Sequence, residues 1–579
     1  MKGLIRVSGV FLLALVSAAL LPAQAAPPPK TPTLTVNSRL VVLDVVVRDA
    51  HGQLVHGLTQ QDFKVLEDGK PQPVDSFETH AYDTTATAAS VAPAAQTGTL
   101  NFSNVSAPGT VSGAINIVLF DLLNTPSGDQ VYARRQMLKF LRELPSGQRV
   151  ALFVLSGRLQ MLQGFTGSSN LLTSAAEMLD PKDFHLLRSQ TQQELEADNL
   201  QRMADVLGGL DPGGSIDHLA RDLGRDDAIN TDTRARLTLA ALAELARATS
   251  GYPGRKNLLW LSASFPLAVG AQMEYDRYSS GDLAHTAAGL LSMKETENLI
   301  ASAQIAVYPI SVLGTQIEDV GAESNGEAEF KQLGHQLGTD REGQFTGRQV
   351  QHSGMNDLAQ QTGGKAFYGS NNLAGALQQG IQEGSNYYTL TYHPQNPNWN
   401  GQFRQIRVEV AQKGDSLSYR RGYYALPDAP ATSDSRQDLN VALQPETPES
   451  TMLRLKAQVE LPNEDHATVQ VTSNIDASDV QFSSDASGHR HTKILVMLVA
   501  FVDGPKQPDA PPQSSGMLNI DLDEQQYQAV AERGIAFPLA LALKPGKYRL
   551  RLGVSDMSNH RIGTLDMPVA VGSVSAAIH

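Results

Sequence analysis

The chain has 579 residues, more than one hydrophobic core organises, so roughly three or four domains are expected. Acidic residues outnumber basic ones, 60 to 46, for a formal charge of −14, which argues against general nucleic-acid binding, since that requires a basic face. There is no cysteine, so each domain must be held by a hydrophobic core without disulfides.

Lys2 and Arg6 border an apolar run from Val7 to Leu21, and Ala23-Gln24-Ala25 has the small-x-small pattern of a signal-peptidase site. Residues 1–25 therefore read as a signal peptide, and the protein as exported, to the periplasm or beyond the cell. The run is short for a membrane span. The longest later apolar run, Ile494–Val502, has strand length, so no integral membrane segment is expected after cleavage. Residues 26–80 read as a Pro-rich leader and a small β unit. Leu40–Asp49 is rich in β-branched residues, and Asp68-Gly69 between Asp62–Glu67 and Pro71–Phe77 is a strong hairpin signal. Residues 81–113, rich in Ala, Thr, Ser, Gly and Pro, read as a linker.

From 114 to 395 strands and helices alternate. Strand Ile115–Phe120 ends in Asp121 and is followed by helix Tyr132–Leu144. Strand Arg149–Leu155 comes next, with Leu159–Phe165 as its antiparallel partner and helix Ser168–Leu179 capped by Ser168 or Ser169. Helix Thr233–Ala248, strand Asn257–Leu261, helix Lys294–Ser302 and strand Ile305–Val312 continue the pattern. Helix Met355–Gln361 stops at Gly363-Gly364. A short strand Ala366–Tyr368, helix Leu373–Ile381 and strand Tyr387–Tyr392 are expected to close the series. Stretches at 181–229, 266–291 and 314–350 break the rhythm and read as insertions. The alternation predicts an α/β fold with a mainly parallel sheet and helices on both faces. Residues 396–427 read as a β-hairpin extension turning at Lys413-Gly414-Asp415, and 428–450 as a second linker. Residues 451–579 are all-β apart from helix Asp523–Arg533, and predict a β-sandwich.

The segments INIVLFDLLNTP, PGRKNLLWLSASFP, LAQQTGGKAFY and SNYYTLTYHPQNPNWNGQFRQIRV, with LVVLDVVVRDAHGQLVHGLTQQDFKVLEDGK before them, lie within residues 35–425. Together they resemble the von Willebrand factor A-related proteins described mainly from Acidobacteria. The resemblance implies a von Willebrand A-like doubly wound sheet with a Mg²⁺ or Mn²⁺ site at the strand ends, held by a D-x-S-x-S motif, and a partner that donates one carboxylate. Oxygen donors with an open position suit such hard cations. The chain departs from that pattern. Asp121 matches the aspartate and Thr125 the last hydroxyl, but Leu123 stands at the middle serine, with Asn124 beside it as a possible amide-oxygen donor. Where the class has a hydroxyl residue, Asp and Gly, this chain has Ser262-Ala263-Ser264. Thr233 and Thr238 both qualify for the threonine before the third helix.

Asp121, Asn124, Thr125 and Ser262 are thus the expected metal-site residues of a degenerate metal-ion-dependent adhesion site. Leu123, Thr233, Thr238 and Ser264 are the expected binding rim. The plainer alternative makes Asp121 a strand-end residue capping a loop, Ser262 a loop hydroxyl and Trp260 a core side chain. Other chemistry is sparse: there is no G-x-S-x-G, H-E-x-x-H or phosphate-binding G-x-x-x-x-G-K-S/T motif. His489 and His491 read as a solvated strand, and Tyr387, Tyr388, Tyr392 and Trp399 as packing. The expectation is an exported, non-enzymatic protein-binding protein. The alternatives are a structural envelope component with no working metal site, or a hydrolase.

Overall fold

A computed structural model describes residues 40–80, 99–105, 114–179, 233–265, 283–313, 351–427 and 435–572, apart from 146, 412–413, 446, 463–466, 486 and 504–509. The predicted signal peptide, most of the first linker, the insertions at 181–229 and 314–350, and residues 266–282 of the second insertion lie outside the described residues. No described helix is long and apolar enough to cross a membrane.

The first unit is a sandwich of two four-stranded sheets assembled from distant parts of the chain. Strands β1 (Val41–Arg48), β2 (Phe63–Glu67), β3 (Lys70–Gln72) and β4 (Ser76–His80) come from its N-terminal part. Strands β11 (Tyr387–Tyr392), β12 (Phe403–Val410), β13 (Ser416–Ser418) and β14 (Gly422–Tyr424) come from some three hundred residues later. The sheets run β13-β1-β11-β4 and β14-β12-β2-β3. Leu43, Val45 and Leu390 of one meet Phe63, Val65, Ile406 and Val408 of the other. The predicted Asp68-Gly69 turn joins β2 to β3 with φ of +49° and +78°, as a tight hairpin demands.

Two expectations are corrected here. Tyr387–Tyr392 does not close the parallel series; it pairs antiparallel with both β1 and β4. The hairpin after it is half of the second sheet rather than an extension. A short apolar run buried on both faces carries no mark of which sheet it joins.

The second unit is the α/β domain, inserted between β4 and β11. Its sheet runs β10-β9-β6-β7-β8, formed by β6 (Ile115–Asp121), β7 (Val150–Leu155), β8 (Leu159–Thr166), β9 (Lys256–Ser262) and β10 (Ile305–Ser311). All pairings are parallel except β7 with β8, as expected. The predicted strand at Ala366–Tyr368 is reduced to one parallel bridge, Phe367 beside Ile310. Every residue of β6 is buried, because helices cover both faces. Val118 and Phe120 point toward α1 (Ser127–Arg142), α2 (Ser169–Glu177) and α6 (Leu373–Gly384). Ile117 and Leu119 point toward α3 (233–249), α4 (Leu283–Ser302) and α5 (351–362).

Helix α1 starts five residues before its apolar periodicity does, with Pro126 as its cap and Asp129 in the first turn. Helix α4 starts within the stretch read as the second insertion, since its polar and small residues include no proline to stop it. Gly363 ends α5 at φ +80°. Gly364 then passes so close to the Val307 carbonyl that a Cβ would sit 1.9 Å from its oxygen.

The third unit is a second sandwich. One sheet runs β20-β16-β15-β5, from β5 (Thr99–Ser103), β15 (Leu455–Glu460), β16 (Val469–Ile475) and β20 (Ile535–Leu541). The other holds β17 (Ser483–Ser484), β18 (Arg490–Val502), β19 (Gln513–Leu522), β21 (Gly546–Asp556) and β22 (Ile562–Val571). Strand β5 lies in the stretch read as linker, and its short polar sequence gives no strand signal. Helix α7 (Ser435–Ala442) likewise occupies the second linker, where Leu439 and Leu443 pack on Leu495, Met497 and Val499. Helix α8 (Glu524–Arg533) starts where expected, with a capping box between Asp523 and Gln526.

Between the sheets of the first sandwich, Glu67 and Arg404, each 2% exposed, form an ion pair at 3.3 Å. Glu67 also accepts from Tyr392 and Tyr423 at 2.8 and 3.0 Å. The guanidinium lies 4.6 Å from the centre of the Trp399 ring. Glu67→Ala would leave Arg404 charged and buried without its partner, at a cost of about 3–5 kcal/mol. We expect the urea midpoint of this sandwich, followed by Trp399 fluorescence, to fall accordingly; an unchanged midpoint would refute a stabilising role for the pair.

Candidate functional site

Asp121 ends β6 beside Ser262, which ends β9, at the carboxyl edge of the sheet. Strand order reverses around β6, which has β7 on one side and β9 on the other. That is where open α/β sheets form their ligand crevice. The following loop folds back over it: the Leu122 and Leu123 amides both donate to the Leu155 carbonyl, at 2.8 and 3.0 Å. Gln130 of α1 donates to the Leu122 and Thr125 carbonyls and holds the loop from the other side.

The carboxylate inside this turn is enclosed. Asp121 Oδ1 accepts from the Asn124 amide at 2.9 Å. Oδ2 accepts from Asn124 Nδ2 at 2.9 Å, Trp260 Nε1 at 3.0 Å and Ser262 Oγ at 3.0 Å. Asn124 Nδ2 also reaches Thr238 Oγ1 at 3.0 Å. Thr125 Oγ1 accepts from the Ala263 amide at 3.2 Å, and the Ser264 amide donates to the Asn124 carbonyl at 3.1 Å. The two strand-end loops are therefore stitched together. Asp121, Thr125, Thr238 and Ser262 are 0% exposed and Asn124 is 1% exposed, so no open floor remains. Burial pushes the Asp121 carboxyl up to about 6, against the downward pull of its hydrogen bonds from Asn124, Trp260 and Ser262.

The structure thus brings together the four expected metal-site residues, Asp121, Asn124, Thr125 and Ser262, but as an internal network. A Mg²⁺ or Mn²⁺ ion needs oxygen lone pairs, retained waters and an open position. Here one carboxylate faces N–H and O–H donors, and the Trp260 indole can only donate. Asn124 Oδ1 is buried without a hydrogen-bond partner, as is Gln130 Oε1 on the helix that holds the loop. As folded, the donor set does not fit the ion. Among the described residues, no group of three or more His, Asp or Glu is placed to hold a metal.

The expected rim is corrected too. Leu123 is in the core on the α3 side of the sheet, and Thr238 is sealed beneath Asn124. Thr233 is exposed further toward the start of α3, and Ser264 is half-buried and tied to Asn124 and Ser262. An apolar side chain at Leu123 draws the loop inward instead of presenting it to a partner. Trp260, read as core, is core, yet it also belongs to the network. A buried indole N–H needs an acceptor, and the aspartate ending the neighbouring strand is within reach.

Elsewhere, His489 and His491 are solvated and lie against Asp521 and Asp485 at 2.8 and 3.0 Å. Tyr387, Tyr388 and Tyr392 are buried in packing.

No protein-family model matches this chain, and no curated protein does. Among solved structures it is similar to an aerotolerance-related membrane protein from Bacteroides fragilis, at 12% identity and TM-score 0.23, covering 47% of this chain and 100% of that one. It is similar to the conserved hypothetical protein BatB from Bacteroides thetaiotaomicron, at 11% identity and TM-score 0.24, covering 47% and 98%. Proximal thread matrix protein of the mussel byssus follows at 10% identity and TM-score 0.23, covering 47% of each chain. Likeness this slight leaves function to be argued from the chain itself.

Asp121→Ala would strand the Trp260 indole N–H and the Asn124 backbone amide in a dry site, while Ser262 Oγ keeps the Ser264 carbonyl at 2.7 Å and Asn124 Nδ2 keeps Thr238, and is expected to destabilise the α/β unit by about 3 kcal/mol. The pH response has a definite sign. The folded-state value of about 6 lies above the ordinary 3.8, so the folded chain holds this proton more tightly than the unfolded chain. The contribution of Asp121 to stability is therefore greatest below about pH 4, falls as pH rises to about 6, and is flat above that. With Trp399→Phe leaving Trp260 as the sole indole, the urea-midpoint advantage of Asp121 over Asp121→Asn should shrink across that window. A difference that stays constant across it would contradict the titration.

Proposed function

We propose that this is an exported, non-enzymatic protein-interaction component of the cell envelope. Its α/β unit is a von Willebrand A-type domain of the kind found in the related Acidobacteria proteins, and it works without a metal ion. Support for the domain type comes from the doubly wound strand order with one antiparallel edge strand, together with the segments around Asp121 and Ser262. Support for export comes from the signal-peptide pattern of residues 1–25.

The observation that carries the metal-free reading is the saturated carboxylate of Asp121, with four donors on it and no exposed surface. The unpartnered Oδ1 of Asn124 favours a second reading, in which the loop opens and a cation replaces the donors. Against an enzyme stands the setting of the hydroxyl–base pairs: Thr59–Asp62, Ser478–Asp476 and Ser487–Asp485 are hydrogen bonds within exposed turns. Ser435 Oγ and His560 Nδ1 lie 3.1 Å apart, but Ser435 is 4% exposed at the head of α7, where an acyl substrate has no approach.

Calorimetric titration with Mg²⁺ and Mn²⁺ into the millimolar range is expected to give no saturable heat. Chelator is expected to leave capture of envelope proteins by the immobilised chain unchanged. Saturable metal binding that Asp121→Ala abolishes would establish the second reading instead. Esterase, peptidase and glycosidase screens are expected to be blank.

A further inference from the structure

The densest group of buried basic side chains lies at the opposite edge of the sheet, where the α/β unit rests on the first sandwich. Arg255 and Lys256, at the start of β9, are 2% and 1% exposed. Arg420 approaches from the sandwich, between β13 and β14. One carboxylate, Asp44 of β1, attracts all three. Its oxygens are already engaged, by Thr389 Oγ1 at 2.7 Å and Gln304 Nε2 at 3.2 and 3.3 Å.

The two guanidinium groups differ in how they are satisfied. Arg255 donates to Asn257 Oδ1 at 3.2 Å, Tyr308 OH at 3.1 Å and the Gly363 carbonyl at 2.7 Å. Arg420 has no such set: the residue is half-buried, its Nε is buried without a hydrogen-bond partner, and its Cζ lies 5.9 Å from the centre of the Tyr423 ring. A buried N–H without an acceptor is costly.

Arg420 does not face solid packing. Arg420, Arg255, Asp44, Gln304, Gln361 and Glu297 line one cavity of about 50 Å³ between the two units. One water needs roughly 10–15 Å³ measured the same way, so there is room for more than a single water. Glu297 forms no ion pair with Arg420, and burial pushes its carboxyl up to about 7, so its negative charge is weakened near neutral pH. Burial likewise pulls Lys256 down to about 7, so the lasting charges on the lining are Arg255, Arg420 and Asp44, and Asp44 is committed to Thr389 and Gln304; the Arg420 guanidinium is left facing the open space with no carboxylate bound to it. The Arg fork is shaped to grip a planar or tetrahedral oxyanion through paired N–H donors.

We propose that this cavity is a binding site for one small oxyanion, held by the Arg420 guanidinium from the sandwich side and bordered by Arg255 and Gln361 from the α/β side. Carboxylates and inorganic phosphate or sulfate share the required chemistry. Because the lining comes from both units, the bound anion ties one to the other. The site is separate from Asp121, and its existence does not depend on how that carboxylate behaves.

The test uses the full-length chain at constant ionic strength, with chloride replaced in turn by acetate, phosphate and sulfate. Thermal unfolding and calorimetry are read together. At least one oxyanion is expected to raise Tm saturably and bind with one-site stoichiometry. Arg420→Gln should weaken that binding by at least about tenfold, the loss expected for hydrogen bonds to a charged group. Arg420→Lys, which keeps the charge but not the fork, should also bind more weakly, and it serves if Arg420→Gln does not fold. Arg142→Gln, on an exposed face where the side chain is 60% accessible, should bind like wild type. Which anion binds identifies the source. No saturable response to any of the three, or equal binding by wild type and the folded Arg420 variants, would overturn the site.

Discussion

Asp121 ends a strand covered by helices on both faces, so its carboxylate has no bulk water to turn to and must be satisfied by the protein. Much of the local architecture follows from that need. The loop after the strand curls back so that the Asn124 amide and side chain reach the carboxylate, the Trp260 indole aims inward, and Ser262 closes the remaining side. The loops after β6 and β9 become one structure, and α1 is anchored to them by Gln130. A group that would be a cation ligand in an open cleft becomes a cornerstone in a closed one. The difference lies in the neighbours: neutral donors occupy the lone pairs a metal would use.

The same requirement is met differently elsewhere. Between the sheets of the first sandwich, Glu67 is satisfied by a true counter-ion and two tyrosine hydroxyls. Where the α/β unit meets that sandwich, Asp44 is shared by several cations and leaves one of them incompletely satisfied beside a cavity. The two edges of the central sheet thus have opposite characters. At the carboxyl edge the Asp121 carboxylate is enclosed, although sheets of this kind most often bind ligands there, and one amide oxygen, Asn124 Oδ1, is left without a partner. At the amino edge the unpartnered group is the Arg420 Nε, on a residue that lines a cavity.

The connectivity explains how the units are fastened. His80 at the end of β4 and Tyr387 at the start of β11 are register partners, so the chain leaves the first sandwich and returns to it at neighbouring positions. Ends that lie close together are what allow one domain to be inserted into another. On the way, β5 adds a strand to the distant second sandwich, pairing with β15 over five residues. Further ties cross the boundaries: Asn298 of α4 exchanges two hydrogen bonds with the Tyr424 backbone, and Thr451 accepts from the Gly251 amide.

The sequence by itself determined the local elements and their class. Continuous apolar runs marked β6, β7, β9 and β10 as strands buried on both faces; Asp68-Gly69 marked a hairpin; and Gly363 marked a helix end. These are properties of spacing and backbone preference, which act over a few residues. Only the tertiary structure decided which sheet Tyr387–Tyr392 and Thr99–Ser103 join, because strand pairing depends on partners hundreds of residues away. Only it decided that Asp121 is enclosed, since Asn124 of its own loop, Trp260 and Ser262 of β9 and Thr238 of α3 converge through packing. Whether a carboxylate is a ligand or a keystone is set by what surrounds it in three dimensions, and the spacing of residues along a chain does not encode that directly.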